Sequence, residues 1–303
     1  GDNIIASVVG AINLTKCSFD ETNLYLMNNT DINFDVDYQN DSVSLKYLKV
    51  QTDGAKFSLL GTVVLGDQIK TDLRFGGAEM NLEELIKYAP KEIMEKYGID
   101  KVKGKIYLDA TAKGFYSDSE IPHISLDMDF KDGNLRTADY PELKNIAFQG
   151  KASNGILRNN QSTKADFSSL HFETEKSKFD IAFSISDINQ PKYMVNTAMS
   201  INVAEFKNFI PDSIAKNVSG NINASFNTKG ELPDTIGDDF VDYLMANSTA
   251  NIELSDLNMD MEPDMSIRNF YLVFNYQPNN FSVKNLNIDI PTYQLNLKNT
   301  SLD

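Results

Sequence analysis

The sequence predicts a mainly β protein: a long, curled antiparallel meander sheet, or sheets, with a few short helices, built from a duplicated helix-plus-strands unit. Three observations predict it. Apolar and polar residues alternate with a period of two over run after run of the chain, as strands with one buried and one wet face require. Turn-forming pairs fall between the runs. Helical spacing occurs in only three places, and two of these open closely similar stretches.

Taken in order, Ile32, Phe34, Val36 and Tyr38 alternate with Asn33, Asp35 and Asp37. Ile106, Leu108, Ala110 and Ala112 alternate with Tyr107, Asp109, Thr111 and Lys113, and Ile124, Leu126, Met128 and Phe130 with Ser125, Asp127 and Asp129. Phe179, Ile181, Phe183 and Ile185 continue the pattern, then Ile222, Ala224 and Phe226, and finally Leu286, Ile288 and Ile290 with Leu295 and Leu297 after Pro291. A parallel α/β sheet would instead show continuous apolar strands between helices. Turns are expected at Asp53-Gly54, Gly76-Gly77, Asp132-Gly133-Asn134, Asn154-Gly155 and Asn279-Asn280, with strands of 8 to 10 residues between them.

The clearest helical stretch is expected over Asn81–Tyr97, with Asn81 as its cap, Glu84 three residues on and Pro90 implying two short helices or a kink. Val203–Ala215 resembles it, with Pro211 in the comparable place, and a third helix is expected over Asp234–Asn247. LEELIKYAPKEI at 82–93 is followed by KGKIYLDATAKG at 103–114, and VAEFKNFIPDSI at 203–214 by SGNINASFNTKG at 219–230. Gly104 aligns with Gly220, Ile106 with Ile222, Gly114 with Gly230 and, further on, Asn145 with Asn269, a period of about 116 to 124 residues. The expected organisation is N-terminal strands over 1–80, a first repeat over 81–190 and a second over 191–303, with sheets continuing across the boundaries.

The chain has 303 residues, 41% hydrophobic and 23% charged, with 43 acidic against 28 basic residues and a net charge of -15. That sign disfavours a phosphate-binding surface for nucleic acid and electrostatic docking on an anionic bilayer. The single cysteine, Cys17, cannot form an intrachain disulfide. The apolar stretch Ile4–Ile12 is 9 residues long, against the about 20 a membrane-spanning helix needs. The start at Gly1 without a Met points to a segment of a longer chain whose signal or anchor helix precedes it.

No catalytic constellation emerges, and neither a cofactor nor a metal is expected. His123 and His171 lie in alternating strands, outside any triad or nucleophile-elbow pattern. The acidic pairs Asp35/Asp37 and Asp127/Asp129 could in principle hold calcium or act on a glycoside, but they coincide with the wet face of alternating strands and read as solvated charge. What remains is the apolar face. It reads either as a core between two packed sheets about 10 Å apart or as the lining of a groove for acyl chains, since a strand of about 9 residues spans roughly 30 Å. The candidate groove lining is Ile106, Leu108, Ile124, Leu126, Met128, Phe130, Ile222 and Phe226.

A short helix near a Pro, then G-x-I-x-L/A with a K-G pair downstream, then a strand, a turn and a P-x-L-x-N-I strand, resembles the AsmA-like family of envelope proteins of double-membraned bacteria. The matching segments are Leu82–Gly114 with Pro141–Gly155, and Val203–Gly230 with Ser266–Tyr276, so the resemblance covers about two thirds of the chain. It implies a non-enzymatic periplasmic protein anchored in the inner membrane, involved in outer-membrane assembly and phospholipid transport. The implied partners are phospholipids or other acyl-chain lipids and, beyond these, envelope proteins, with no nucleic acid; the inner membrane would be reached only through the N-terminal anchor. The alternatives are an envelope scaffold or interaction module with a closed core and no lipid ligand, and a glycan-active or glycan-binding β protein, which the absence of Trp disfavours.

Overall fold

The structure is a computed structural model that describes residues 4–15, 29–88, 91–233, 240–261, 265–278, 280–290 and 293–302. Cys17, Pro90, Asn279, Pro291 and residues 234–239 of the third predicted helix lie outside these. The strands are β1 (Ile5–Leu14), β2 (Thr30–Gln39), β3 (Ser42–Gln51), β4 (Ala55–Val64), β5 (Ile69–Asn81), β6 (Ile99–Tyr116), β7 (His123–Thr137) and β8 (Leu143–Ser153). They continue as β9 (Lys164–Glu173), β10 (Lys178–Ser186), β11 (Lys192–Asn202), β12 (Asn217–Glu231), β13 (Ser248–Met261), β14 (Met265–Gln277), β15 (Asn280–Ile290) and β16 (Tyr293–Leu302). The fold is an open antiparallel meander: 16 strands hydrogen-bonded in sequence order, with β1 and β16 as its edges.

Two compact units divide the chain. The first comprises Gly1–Ala138, Asn145–Phe167 and Ser186–Asn189; the second comprises Asp139–Lys144, Ser168–Ile185 and Gln190–Asp303.

In the first unit the predicted helical stretch is two short helices, one of the two expected arrangements: α1 (Leu82–Leu85) and α2 (Lys91–Lys96), with a 3-10 turn at Ile86–Tyr88 between them. The Asn81 side chain accepts the Glu83 backbone N–H, as expected of the cap. Glu84 does not reach back to complete a capping box; it pairs with Lys87 at 2.5 Å. Glu83 ties α1 to β6 through Lys103, at 2.9 Å.

In the second unit the helix expected over Val203–Ala215 is cut short. A 3-10 segment covers Val203–Phe209, and Phe206 departs from helical geometry at φ -107°, ψ 15°. The acidic residue of its first turn is used elsewhere. Glu205 accepts the Thr174 hydroxyl at 2.6 Å, the Lys176 backbone N–H at 2.9 Å and the Ser177 hydroxyl. It thereby clips the 3-10 segment onto the tight β9–β10 turn, where Thr174 and Ser177 are buried.

Two predicted turns are β-bulges instead. Gly76-Gly77 lies inside β5, where the register against β6 shifts between Phe75 and Ala78. Asp132-Gly133-Asn134 lies inside β7, with the β6–β7 register shifting between Lys103 and Lys105. Asp132 sits at φ 55°, and a left-handed residue serves a bulge as readily as a turn. The strands accordingly run longer than predicted, to 18 residues in β6.

Several aligned repeat positions share backbone geometry, although Gly114 takes φ 132° and its counterpart Gly230 does not have positive φ. Gly104 and Gly220 both take positive φ, 144° and 126°, each at a register shift into the following strand. Asp132 and Asp256, at φ 55° and 51°, and Asn145 and Asn269, at φ 53° and 51°, are matched in the same way. At Gly220 a methyl group would lie 2.6 Å from the Leu257 Cα, and at Gly104 it would lie 2.4 Å from the Phe130 ring. The first clash is with backbone, so Gly220 has no side-chain route to relief.

Burial opposes the charge of Glu205, but the hydroxyls of Ser177 and Thr174 and the backbone amides of Lys176 and Glu175 outweigh it and hold the carboxyl below its ordinary value of 4.5. A depressed carboxyl contributes stability that is present above the unfolded value and lost as pH falls through the folded one. Glu205→Gln is therefore expected to cost about 1–3 kcal/mol near neutral pH, and its deficit against the parent chain should shrink in urea melts run below pH 4.5.

Candidate functional site

Strand register gathers the alternate apolar residues onto one face. In the first unit Ile106 lies opposite Phe130, Leu108 opposite Met128, Ala110 opposite Leu126 and Ala112 opposite Ile124. Ala78 and Met80 of β5 extend these rows by pairing with Leu108 and Ile106. Further along, Leu59 pairs with Phe75 and with Leu48, and Phe34 with Leu48. The rows end in β1, where Val8 faces Val36 and Ile12 faces Ile32. In the second unit Ile201, Ile222, Leu254, Leu272 and Leu286 form one such row across β11 to β15.

These faces are not sealed. A second sheet packed about 10 Å away would bury them completely, yet among the described residues only Val50, Ala78, Phe130, Val203, Ala215, Val218 and Leu257 are buried hydrophobics.

The eight candidate lining residues divide by environment. Phe130, 7% exposed, lies over Gly104 and Gly133 and stacks on Phe148 with ring centroids 5.2 Å apart; it belongs to a local core. Ile222 likewise packs against the small cluster of Val203, Val218 and Leu257. Ile106, Leu108, Leu126, Met128 and Phe226 are half-exposed and Ile124 is exposed. The structure adds aromatic members that alternation alone did not single out: Phe57 against Phe75 at 5.3 Å, and Phe148 against Phe167 at 6.1 Å.

The opposite face is polar and internally paired. Lys46 bridges Asp35 and Asp37 at 3.2 and 3.0 Å, Lys56 meets Glu79 at 2.7 Å, Lys113 meets Asp72 at 2.8 Å and Lys151 meets Asp127 at 3.4 Å. The Ser7 hydroxyl and Lys46 hold the Asp37 carboxyl below its usual range. His171 lies 2.7 Å from Asp180 and 3.4 Å from Glu173; His123 shares a 3.2 Å hydrogen bond with Ser153. Both histidines thus sit at strand positions with polar partners. Among the described residues no group of three or more His, Cys, Asp or Glu is placed to hold a metal, and no helix is long and apolar enough to cross a membrane. Open depressions of about 500 Å³ lie between side chains of this polar face, one around Asp109, Asp127 and Lys131, another around Ser200, Asn223 and Asn251.

No family model, curated protein or solved structure matches the chain. The face itself is therefore the functional evidence: a wide apolar surface, half-open to solvent, backed by a charged exterior.

A consequence follows for single substitutions. Phe130→Ala removes a buried ring and is expected to cost about 3–5 kcal/mol. Leu126→Asp on the open part of the face should leave a folded protein, because its carboxylate keeps water. Thermal melts followed by circular dichroism distinguish the two sites; a closed core would make Leu126→Asp the more damaging change, since a buried unpaired charge costs several kcal/mol.

Proposed function

We propose that this chain is a non-enzymatic periplasmic segment of an AsmA-like protein of the bacterial envelope, acting in outer-membrane assembly, and that its apolar sheet face forms a groove for phospholipid acyl chains. The observation that carries the reading is the continuous but unsealed apolar face. Leu108, Leu126 and Met128 stand in register on it and remain partly open to solvent. An acyl chain laid along such a surface removes apolar area from water on both partners at about 25 cal/mol per Å², and asks for no directional contact. The polar face suits the same reading: it is rich in carboxylates, several of them paired with lysines across neighbouring strands, which keeps that side solvated and away from lipid. A closed-core scaffold would leave the half-exposure of the face without a reason.

The test is direct. The chain is purified from a bacterial periplasm without detergent and extracted for lipid mass spectrometry, and photo-crosslinking residues are placed at Leu108, Leu126 and Phe226, with Asp127 and Asn223 as polar-face controls. Phospholipid is expected in the extract and in crosslinks from the three apolar positions alone. Lipid-free protein with no crosslinks, or equal crosslinking from both faces, contradicts the proposal.

A further inference from the structure

The duplicated unit makes the same depression twice on its polar face and lines it differently each time. Register fixes the correspondence. Tyr107 pairs with Asp129 and Asp109 with Asp127 in the first unit, while Asn223 pairs with Glu253 and Ser225 with Asn251 in the second. These are equivalent positions of the aligned repeat, and each set borders an open depression of about 500 Å³. In the first unit every carboxylate there meets a cation: Arg74 on Asp109 at 3.6 Å, Lys151 on Asp127 at 3.4 Å and Lys131 on Asp129 at 2.6 Å. In the second unit Asp109, Asp127 and Lys131 give way to Ser225, Asn251 and Ser255, and Gln149 gives way to Val273.

Solvation alone asks for no such change, since the charged copy is already wet. An amide both donates and accepts hydrogen bonds, as a hydroxyl does, and a carboxylate or ammonium does only one of the two. Within the second depression the Ser200 hydroxyl donates to the Asn223 carbonyl oxygen at 2.8 Å, the Asn251 amide to the Ser225 oxygen at 3.4 Å, and the Tyr271 hydroxyl to Glu253 at 3.2 Å. Among the described residues these bonds leave the Asn223 amide N–H groups, the Asn251 carbonyl oxygen and one Glu253 oxygen for a ligand. Ala198 and Val273 place apolar patches between them. Lys178 and Asp180 stand at the β10 margin, and each already has a partner, Glu173 at 3.3 Å and His171 at 2.7 Å.

We propose that this second depression binds a neutral oligosaccharide. A sugar ring carries no charge, has hydroxyls that donate and accept around its rim, and shows apolar C–H faces, which is the complement of amides set around Ala198 and Val273. Tyr271, held by Glu253, places an aromatic ring beside the depression in a chain without Trp. An anionic ligand is disfavoured by Glu253 and by the net charge of -15. The volume lies within the roughly 300–1,000 Å³ of small-ligand sites. This site is on the opposite face from the lipid groove and does not rest on that reading. The ion-paired copy in the first unit is its internal control.

The experiment is saturation-transfer NMR on the whole chain with cellotetraose, mannotetraose and chitotetraose, and with tetragalacturonate as the anionic comparison. Saturable transfer to at least one neutral probe is expected. Ser225→Asp with Asn251→Asp, which restores the carboxylates of the first repeat, should weaken that binding about tenfold or more, and so should Asn223→Ala, which removes two donors at an exposed position. Asp127→Asn in the first unit should leave it unchanged, and circular dichroism confirms that each variant is folded. No transfer to any of the three neutral probes, binding indifferent to both second-unit changes, binding lost with Asp127→Asn, or equal binding of tetragalacturonate overturns the proposal.

Discussion

Everything in this fold depends on the register of its strand ladders. Side chains alternate faces along a strand, so a slip of one residue would move a whole apolar row into the wet side. The register prevents this over β1 to β7 and again over β11 to β15, and it does so without a second layer to reward the correct choice. The polar face supplies part of the discrimination. Lys46 between Asp35 and Asp37, Lys113 on Asp72 and Lys151 on Asp127 mark the proper pairing across neighbouring strands, although each exposed pair contributes only about 0–1 kcal/mol. The bulges at Gly104 and Gly220 and the left-handed Asp132, Asp256, Asn145 and Asn269 place fixed offsets in both repeats.

The price of an unsealed face is a small buried core. Stability is concentrated in local clusters, Phe130 over Gly104 and Gly133 in the first unit and Val203, Val218 and Leu257 in the second. In the second unit the Glu205 clip lies beside its cluster, since Glu205 and Val203 share one 3-10 segment. Between such anchor points the apolar face is free to serve as a surface. Stability and function are thus separated along the strands: the same row that is a core at one end is a candidate binding surface further on.

The alternation of Ile106 to Ala112 and Ile124 to Phe130 made the strand pairing and the shared face legible before any coordinates. The repeat was legible too, because Gly104 and Gly220, or Asn145 and Asn269, must be special residues to take positive φ. The bulges at Gly76-Gly77 and Asp132-Gly133 were not, since turns and bulges ask for the same left-handed residues and differ only in what the partner strand does. The shortening of the second helix was hidden for a related reason: the hydroxyls that draw Glu205 away lie 28 and 31 residues earlier in the chain. The environment of each lining residue was illegible as well, because alternation assigns a face but not what covers it. Phe130 and Ile222 read in sequence just as Leu126 does.

The central claim is that the apolar face around Leu126 is open to solvent and closes over lipid. The rate at which Leu126→Cys, in a Cys17→Ser background, reacts with a water-soluble thiol reagent tests it most directly. The account predicts fast labelling in the lipid-free protein and strong protection once phospholipid is added, with an exposed polar-face cysteine at Asn223 unaffected. Slow labelling at Leu126→Cys without lipid, unchanged by its addition, would contradict it.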